Sequence, residues 1–124
     1  MGSVLLYVGS FLPTIWGVVH LIPTQKVVQG YGEISPDNRY IITMEWIIEG
    51  VTLIFIGILT ALVTYIDRNN SVSHAIYWTV FIYLNILSLV SVFTGFRVSF
   101  LPFKLCPFIF TNSSLLILLG IFIN

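Results

Sequence analysis

This chain has unusually few charged residues. They make up 8% of its 124 residues, whereas hydrophobic residues make up 57%. A soluble domain carries roughly a quarter charged residues, so this sequence cannot cover a water-facing surface. The charges of the five basic and five acidic side chains cancel. The chain therefore lacks the excess of positive charge that would indicate a nucleic-acid partner. The composition therefore excludes an ordinary soluble globular protein.

Cysteine is equally scarce, because Cys106 is the only one and cannot form an intramolecular disulfide. A positively charged segment ahead of the first apolar run is also missing, since no Lys or Arg precedes it. Secretory signal peptides begin with such a segment and end at a small-residue cleavage site. We therefore expect the run that ends at Pro23 to be a retained helix.

Long apolar runs are what the sequence does contain. Four of them meet the length of about 20 residues that a membrane-spanning helix needs, at roughly 3–22, 40–66, 74–96 and 105–123. In lipid, a helix satisfies every backbone polar group within its own segment. The sequence thus predicts an all-α protein, a four-helix transmembrane bundle that forms a single domain over residues 1–124. Its first partner is the lipid bilayer.

The few basic residues predict the orientation of the bundle. Four spans place both termini on one side of the membrane. Loops 1 and 3 share the other side and contain Lys26, Arg39, Arg97 and Lys104, whereas the terminal side has only Arg68. Because basic residues concentrate in cytoplasmic loops, we expect both termini to be non-cytoplasmic.

Two acidic residues, Glu45 and Glu49, lie inside the second span. A charge at the centre of a bilayer costs about 2.5–3.5 kcal/mol on insertion scales, so both should face protein or water. Four residues apart, they share one side of a helix. The same half carries the small and hydroxyl residues that suit helix packing, which are Gly50, Thr52, Gly57, Thr60, Ala61 and Thr64.

Polar or small residues on the other spans should face the same interior. In the first span these residues form one stripe, which consists of Ser10, Pro13, Gly17 and His20. In the third span they form another, which consists of Asn85, Ser88, Ser91 and Gly95. His20 lies toward the same membrane face as the two glutamates, and Trp46 stands between them in sequence. We predict a polar intramembrane site in that half, with the ligand-binding candidates His20, Glu45, Trp46, Glu49 and Asn85.

A purely structural role for these residues is the alternative interpretation. An intramembrane glutamate can simply bond a neighbouring helix, and Trp46 fits an interfacial aromatic belt. Ionisable groups within a membrane are nevertheless functional candidates by default. One histidine and two glutamates could supply three metal ligands, but their spacing matches no recognised motif. We therefore predict no metal site, and the sequence indicates no particular cofactor.

The run EGVTLIFIG, residues Glu49–Gly57, resembles a helix of DoxX-like membrane proteins. That family is similar to this chain in size and in its four-helix layout. Some of its members resemble accessory subunits of membrane redox systems, and many have no assigned activity. The first helix of the family often ends in a lysine, whereas the first span here ends with His20. The resemblance therefore implies a fold and carries no functional residues.

Two functions fit these residues. The first is a membrane module that binds a hydrophobic small molecule or a partner subunit through its polar interior, within a homo-oligomer or a larger membrane complex. The second is a small membrane enzyme in which histidine and glutamate transfer protons on a lipid-like substrate. Such transfer needs an acid and a base with separated pKa values. No catalytic residue is singled out.

Overall fold

The computed structural model of this protein describes residues 1–123, which form five helices. They are α1 (Gly2–Leu21), α2 (Thr24–Gln29), α3 (Pro36–Asp67), α4 (Ser71–Gly95) and α5 (Leu101–Phe122). All but α2 are long and apolar enough to cross a membrane. The prediction of an all-α protein with four spanning helices is confirmed. The chain is a small multi-pass membrane protein.

The helix ends differ from the predicted spans. Ser35 caps α3, because its Oγ accepts a hydrogen bond from the backbone N–H of Asn38 at 3.2 Å, and Pro36 follows it as the first helical residue. Such a proline loses no helical bond at this position. α5 begins at Leu101 rather than near 105, with Pro102 in its first turn and without a side-chain cap. The short α2 lies within the segment that the sequence suggested to be a loop.

α1 is the helix on which the bundle is assembled. It packs along α3 on one side and along α5 on the other, while α4 packs chiefly against α5. Glycines bring α1 and α3 close together. A Cβ atom at Gly17 would lie only 2.6 Å from the carbonyl oxygen of Gly50. Small residues permit this kind of close approach between membrane helices.

Pro13 sits in the middle of α1 and is fully buried. Its missing N–H leaves the carbonyl four residues earlier, that of Gly9, without its helical partner. The hydroxyl of Ser113 in α5 donates a hydrogen bond to this carbonyl at 2.5 Å. The bond satisfies a backbone group that lipid cannot satisfy, and it joins α1 to α5.

Arg68 closes the end of the bundle at which the described chain starts and stops, here called the terminal end. Its guanidinium donates hydrogen bonds to the carbonyls of Gly120 and Ile123, at 3.2 and 2.8 Å, and to the hydroxyl of Ser3 at 3.2 Å. Carbonyls in the last turn of a helix have no intrahelical partner, and Arg68 supplies one. The opposite end, which contains α2 and the α4–α5 connection, is called the loop end.

The seam between α3 and α4 is closed at the terminal end only. There the hydroxyls of Thr64 and Tyr77 are hydrogen-bonded at 3.0 Å, and the Ser73 hydroxyl donates to the carbonyl of Asp67 at 2.6 Å. The α3–α4 contact is weaker than that of α1 with either neighbour, and toward the loop end a groove separates the two helices. The bundle is therefore open along one side.

This open seam changes the predicted interior of α3. Gly50, Gly57, Thr60 and Thr64 are buried as expected, but Glu45 and Glu49 are exposed. At about 100° per residue, both glutamates lie on the same side of α3 as the buried Ile56 and Val63. That side of α3 faces α4. Its residues are buried at the terminal end, where α4 packs on them, and exposed toward the loop end, where α4 diverges.

The α1–α3 crossing makes a testable prediction. We expect Gly17→Ala to lower the melting temperature of the detergent-solubilised protein, because the added methyl group meets the backbone oxygen of Gly50, which cannot rotate away. Overpacking of this kind costs about 1–3 kcal/mol. Gly30→Ala is the matched control, since Gly30 lies outside the crossing and has a helical backbone conformation. Equal melting temperatures for the two variants would contradict the close crossing.

Candidate functional site

His20 lies in the last turn of α1, at the loop end, and is almost completely buried. Trp46 of α3 holds it in two ways. Its ring stacks on the imidazole with centroids 3.8 Å apart and planes inclined at 16°. Its indole Nε1–H also donates a 2.8 Å hydrogen bond to the backbone carbonyl of His20. Because this carbonyl ends a helix, Trp46 both caps α1 and fixes the position of the imidazole.

The Nε2 atom of His20 is buried and has no hydrogen-bond partner among residues 1–123. The nearest acidic group is the carboxylate of Glu49, whose Oε2 lies 3.6 Å away. That distance is too long for a hydrogen bond. A buried polar atom without a partner costs about 1–3 kcal/mol. The imidazole edge therefore points at Glu49, and the 3.6 Å separation admits a bridging polar group only if the Glu49 side chain moves.

Glu49 and Glu45 line a groove of about 390 Å³ in the open α3–α4 seam. One wall is α3, from Ile41 to Leu53, and the opposite wall comes from Tyr83 and Leu87 of α4. Phe103 of α5 and Tyr31, which follows α2, complete the loop end of the groove. The result is an aromatic and aliphatic groove with two carboxylates on one wall.

A second, mostly apolar cavity of about 280 Å³ lies against the His20–Trp46 stack and is also lined by Trp16 and Cys106. The Cys106 sulfur accepts a hydrogen bond from Trp16 Nε1 at 3.3 Å, so this thiol has a structural partner. A third cavity of about 540 Å³ includes Lys26 and opens at the loop end. Phe103 borders both cavities and the groove, which makes its ring their common wall.

The structure brings four of the five predicted site residues together. His20, Trp46 and Glu49 are in contact or nearly so, and Glu45 lines the same groove one helical turn from Glu49. Asn85 is not part of this group. Its side chain is exposed on α4, and its Nδ2–H₂ donates to the carbonyl of Phe81 at 2.7 Å, within its own helix.

Sequence reasoning did not find the remaining walls of the groove. Tyr31, Tyr83, Leu87 and Phe103 come from three different segments of the chain. Aromatic and aliphatic residues are abundant throughout this sequence, so residue type alone does not show which of them line a groove. Only the divergence of α4 from α3, which depends on packing, selects these four.

The charges of the groove are unbalanced. Over residues 1–123, neither Glu45 nor Glu49 has a lysine or arginine within 4.0 Å, and His20 is the only basic side chain near Glu49. The same range holds no cluster of three His, Cys, Asp or Glu side chains that could bind a metal ion. The arrangement can accept hydrogen bonds from a ligand, and its imidazole and carboxylate could exchange a proton through one.

Comparison with known proteins identifies no relative: no family model, no curated protein and no solved structure matches this chain.

The Trp46 contacts make a prediction about stability. We expect Trp46→Phe to lower the melting temperature in detergent, because a phenyl ring can still stack on His20 but cannot donate to its carbonyl. The unsatisfied carbonyl should cost about 1–3 kcal/mol. Trp78→Phe is the control for the same chemical change, since Trp78 is partly exposed on α4 and packs only by ring contacts. A melting temperature for Trp46→Phe as high as that of the control would exclude the capping role.

Proposed function

We propose that this membrane protein binds a hydrophobic small molecule in the α3–α4 groove and holds its polar group with Glu45, Glu49 and His20. The observation that carries the proposal is the buried Nε2 of His20, which has no hydrogen-bond partner within the described chain and points at a carboxylate of the groove wall. A polar ligand group would satisfy both side chains once Glu49 has moved away from Nε2.

The side chain of Glu49 can admit such a group. It is 44% exposed, whereas that of His20 is 5% exposed. A change of the Glu49 rotamer toward the groove would uncover Nε2 without moving the imidazole, which Trp46 holds by stacking and by its bond to the backbone. The site would therefore combine the fixed imidazole of His20, as hydrogen-bond acceptor or donor, with the movable carboxylate of Glu49.

A partner subunit is a further occupant that fits the open seam. A helix of another protein, or of a second copy, could pack between α3 and α4 at the loop end, where these helices diverge. The resemblance of Glu49–Gly57 to DoxX-like proteins is consistent with such an assembly and remains part of this proposal. We favour a small molecule because two carboxylates and an imidazole would be poorly matched by the apolar face of a membrane helix.

One observation favours an enzyme as the second candidate function. An imidazole nitrogen and a carboxylate oxygen 3.6 Å apart form an acid–base pair beside a groove that could hold a lipid-like substrate. Proton transfer needs such a pair within reach of the substrate. A binding protein would release its co-purified molecule unchanged, whereas an enzyme would convert it. Mass spectrometry of the bound molecule before and after incubation with the purified protein separates these functions.

The orientation of the bundle is a separate proposal, supported by where the basic residues lie. All four basic residues other than Arg68 lie at the loop end: Lys26 in α2, Arg39 in the first turn of α3, Arg97 in the α4–α5 connection and Lys104 in the first turn of α5. Arg68 is at the terminal end. We therefore place the loop end in the cytoplasm and both termini outside it.

This orientation can be tested by cysteine labelling in a Cys106→Ser background. A membrane-impermeant maleimide applied to intact cells should label Asn69→Cys and leave Glu33→Cys unlabelled until the cells are opened, because the two exposed positions lie at opposite ends of the bundle. Labelling of Glu33→Cys alone would reverse the orientation. Labelling of both from outside would contradict the four-span arrangement.

The central prediction concerns Glu49. We expect Glu49→Gln to keep the melting temperature within a degree or two but to remove the co-purified small molecule, because glutamine keeps the shape of the side chain and loses its charge. Glu49→Leu should also remove the molecule. The measurement is mass spectrometry of molecules bound to the detergent-purified protein, with Asn85→Leu, outside the groove, as the control. Retention of the same molecule by both Glu49 variants would refute a ligand role for this residue.

A further inference from the structure

The groove has more acceptors than donors near its carboxylates. Glu45 and Glu49 lie one helical turn apart on one wall, and among the described residues that line the groove none is a lysine or arginine. A carboxylate in a membrane needs a cation, a proton or water to offset the loss of hydration. Two carboxylates with no basic lining residue suit a ligand that brings positive charge.

His20 adds an independent polar atom beside the groove: it lies behind Glu49, and its own side chain lines the adjacent cavity. Its side chain is 95% buried, since 5% of it is exposed, and Nε2 is 3.6 Å from Glu49 Oε2 without a hydrogen-bond partner in the part of the chain that the structure describes. A neutral imidazole accepts through one ring nitrogen. In the tautomer that carries its proton on Nδ1, Nε2 is a third acceptor beside the two carboxylates, and a primary ammonium group has three N–H donors.

The aromatic lining also favours a cation. Trp46, Tyr31, Tyr83 and Phe103 all border the groove. The face of an aromatic ring attracts an ammonium group within about 6 Å of its centroid, with tryptophan the strongest. Aliphatic anions would be repelled by the glutamates, and a neutral alcohol would use only one donor and leave the remaining acceptors unsatisfied.

The order of residues along the groove gives the ligand a direction. The two glutamates lie on its loop-end side, close to where α1 ends. Thr52, Leu53 and Leu87 continue the groove toward the middle of the bundle. An amphiphile in a membrane places its polar group near the interface and its chain toward the bilayer centre, which is the same direction.

We propose that the groove binds an amphiphile with a primary ammonium group on an aliphatic chain, with the ammonium donating to Glu45, Glu49 and His20 Nε2. This inference rests on the proposed function, and it specifies the chemistry of the ligand. The same ammonium chemistry belongs to a free long-chain amine and to the headgroup of phosphatidylethanolamine.

The test uses the full chain in a nonionic detergent with three probes of equal chain length: dodecylammonium, dodecyltrimethylammonium and dodecanol. Binding is measured by native mass spectrometry. We expect dodecylammonium to bind about tenfold more tightly than dodecanol, as charge-assisted hydrogen bonds are the stronger ones. Dodecyltrimethylammonium should bind more weakly than dodecylammonium, because it has no N–H group for Nε2.

The variants assign this preference to the groove. Glu45→Gln with Glu49→Gln should remove the advantage of dodecylammonium over dodecanol. Glu45→Gln alone should weaken dodecylammonium several-fold, and it serves as the second variant because Glu45 is an exposed side chain that the fold does not depend on. Glu33→Gln makes the same chemical change outside the groove and should alter nothing.

A second arm distinguishes the source of the ammonium. The protein is reconstituted in mixed phosphatidylethanolamine and phosphatidylcholine nanodiscs, and the lipids it retains are counted after release. Preferential retention of phosphatidylethanolamine that is lost in the double variant supports a lipid headgroup. No preference between the lipids, together with tight dodecylammonium binding, supports a free amine.

The outcomes that overturn the inference differ from those that overturn the proposed function. Equal binding of dodecylammonium and dodecanol by the unaltered protein, or an ammonium preference that survives in the double variant, overturns the ammonium assignment and leaves the groove as a site for hydrophobic molecules. Absence of binding by all three probes and both lipids overturns the ammonium assignment and the binding function together.

Discussion

The close crossing of α1 and α3 is the constraint on which the loop end depends. With Gly17 against the backbone of Gly50, the last turn of α1 lies beside Trp46, and His20 is held between a stacked ring and a backbone hydrogen bond. The same crossing fixes which side of α3 is left for α4. Because α4 is attached mainly to α5, that side is covered only at the terminal end, and Glu45 and Glu49 line the gap.

Backbone groups that a membrane cannot hydrate explain two of the long-range polar contacts. The carbonyl of Gly9, which Pro13 leaves without a partner, receives the hydroxyl of Ser113, and the last carbonyls of α5 receive the guanidinium of Arg68. These bonds join helices that are far apart in sequence. Set beside them, His20 Nε2 is the exception, a buried atom whose partner the described chain does not supply, and for that reason it is the best indicator of a site.

Much of this architecture could be predicted from the sequence because a membrane imposes few choices on a chain. The length of the apolar runs determined the number of spans. The proximity of His20, Trp46 and Glu49 followed from their depth in adjacent spans. The position of Asn85 outside the site could not be predicted, because the side of α4 that faces α3 depends on how far the two helices diverge. The aromatic walls of the groove were equally beyond prediction, because they meet only through that departure.

A groove that opens toward the lipid between two spanning helices would take up its ligand from the bilayer, in which molecules diffuse in two dimensions. Occupancy of the proposed site would depend on the mole fraction of the ligand among the surrounding lipids and not directly on the amount dissolved in water. A compound that partitions strongly into the leaflet would meet the glutamates at high local abundance, so a modest intrinsic affinity would be sufficient for occupancy. Exchange would then proceed by lateral diffusion in the bilayer, and the lipid composition of the membrane would become part of the binding equilibrium.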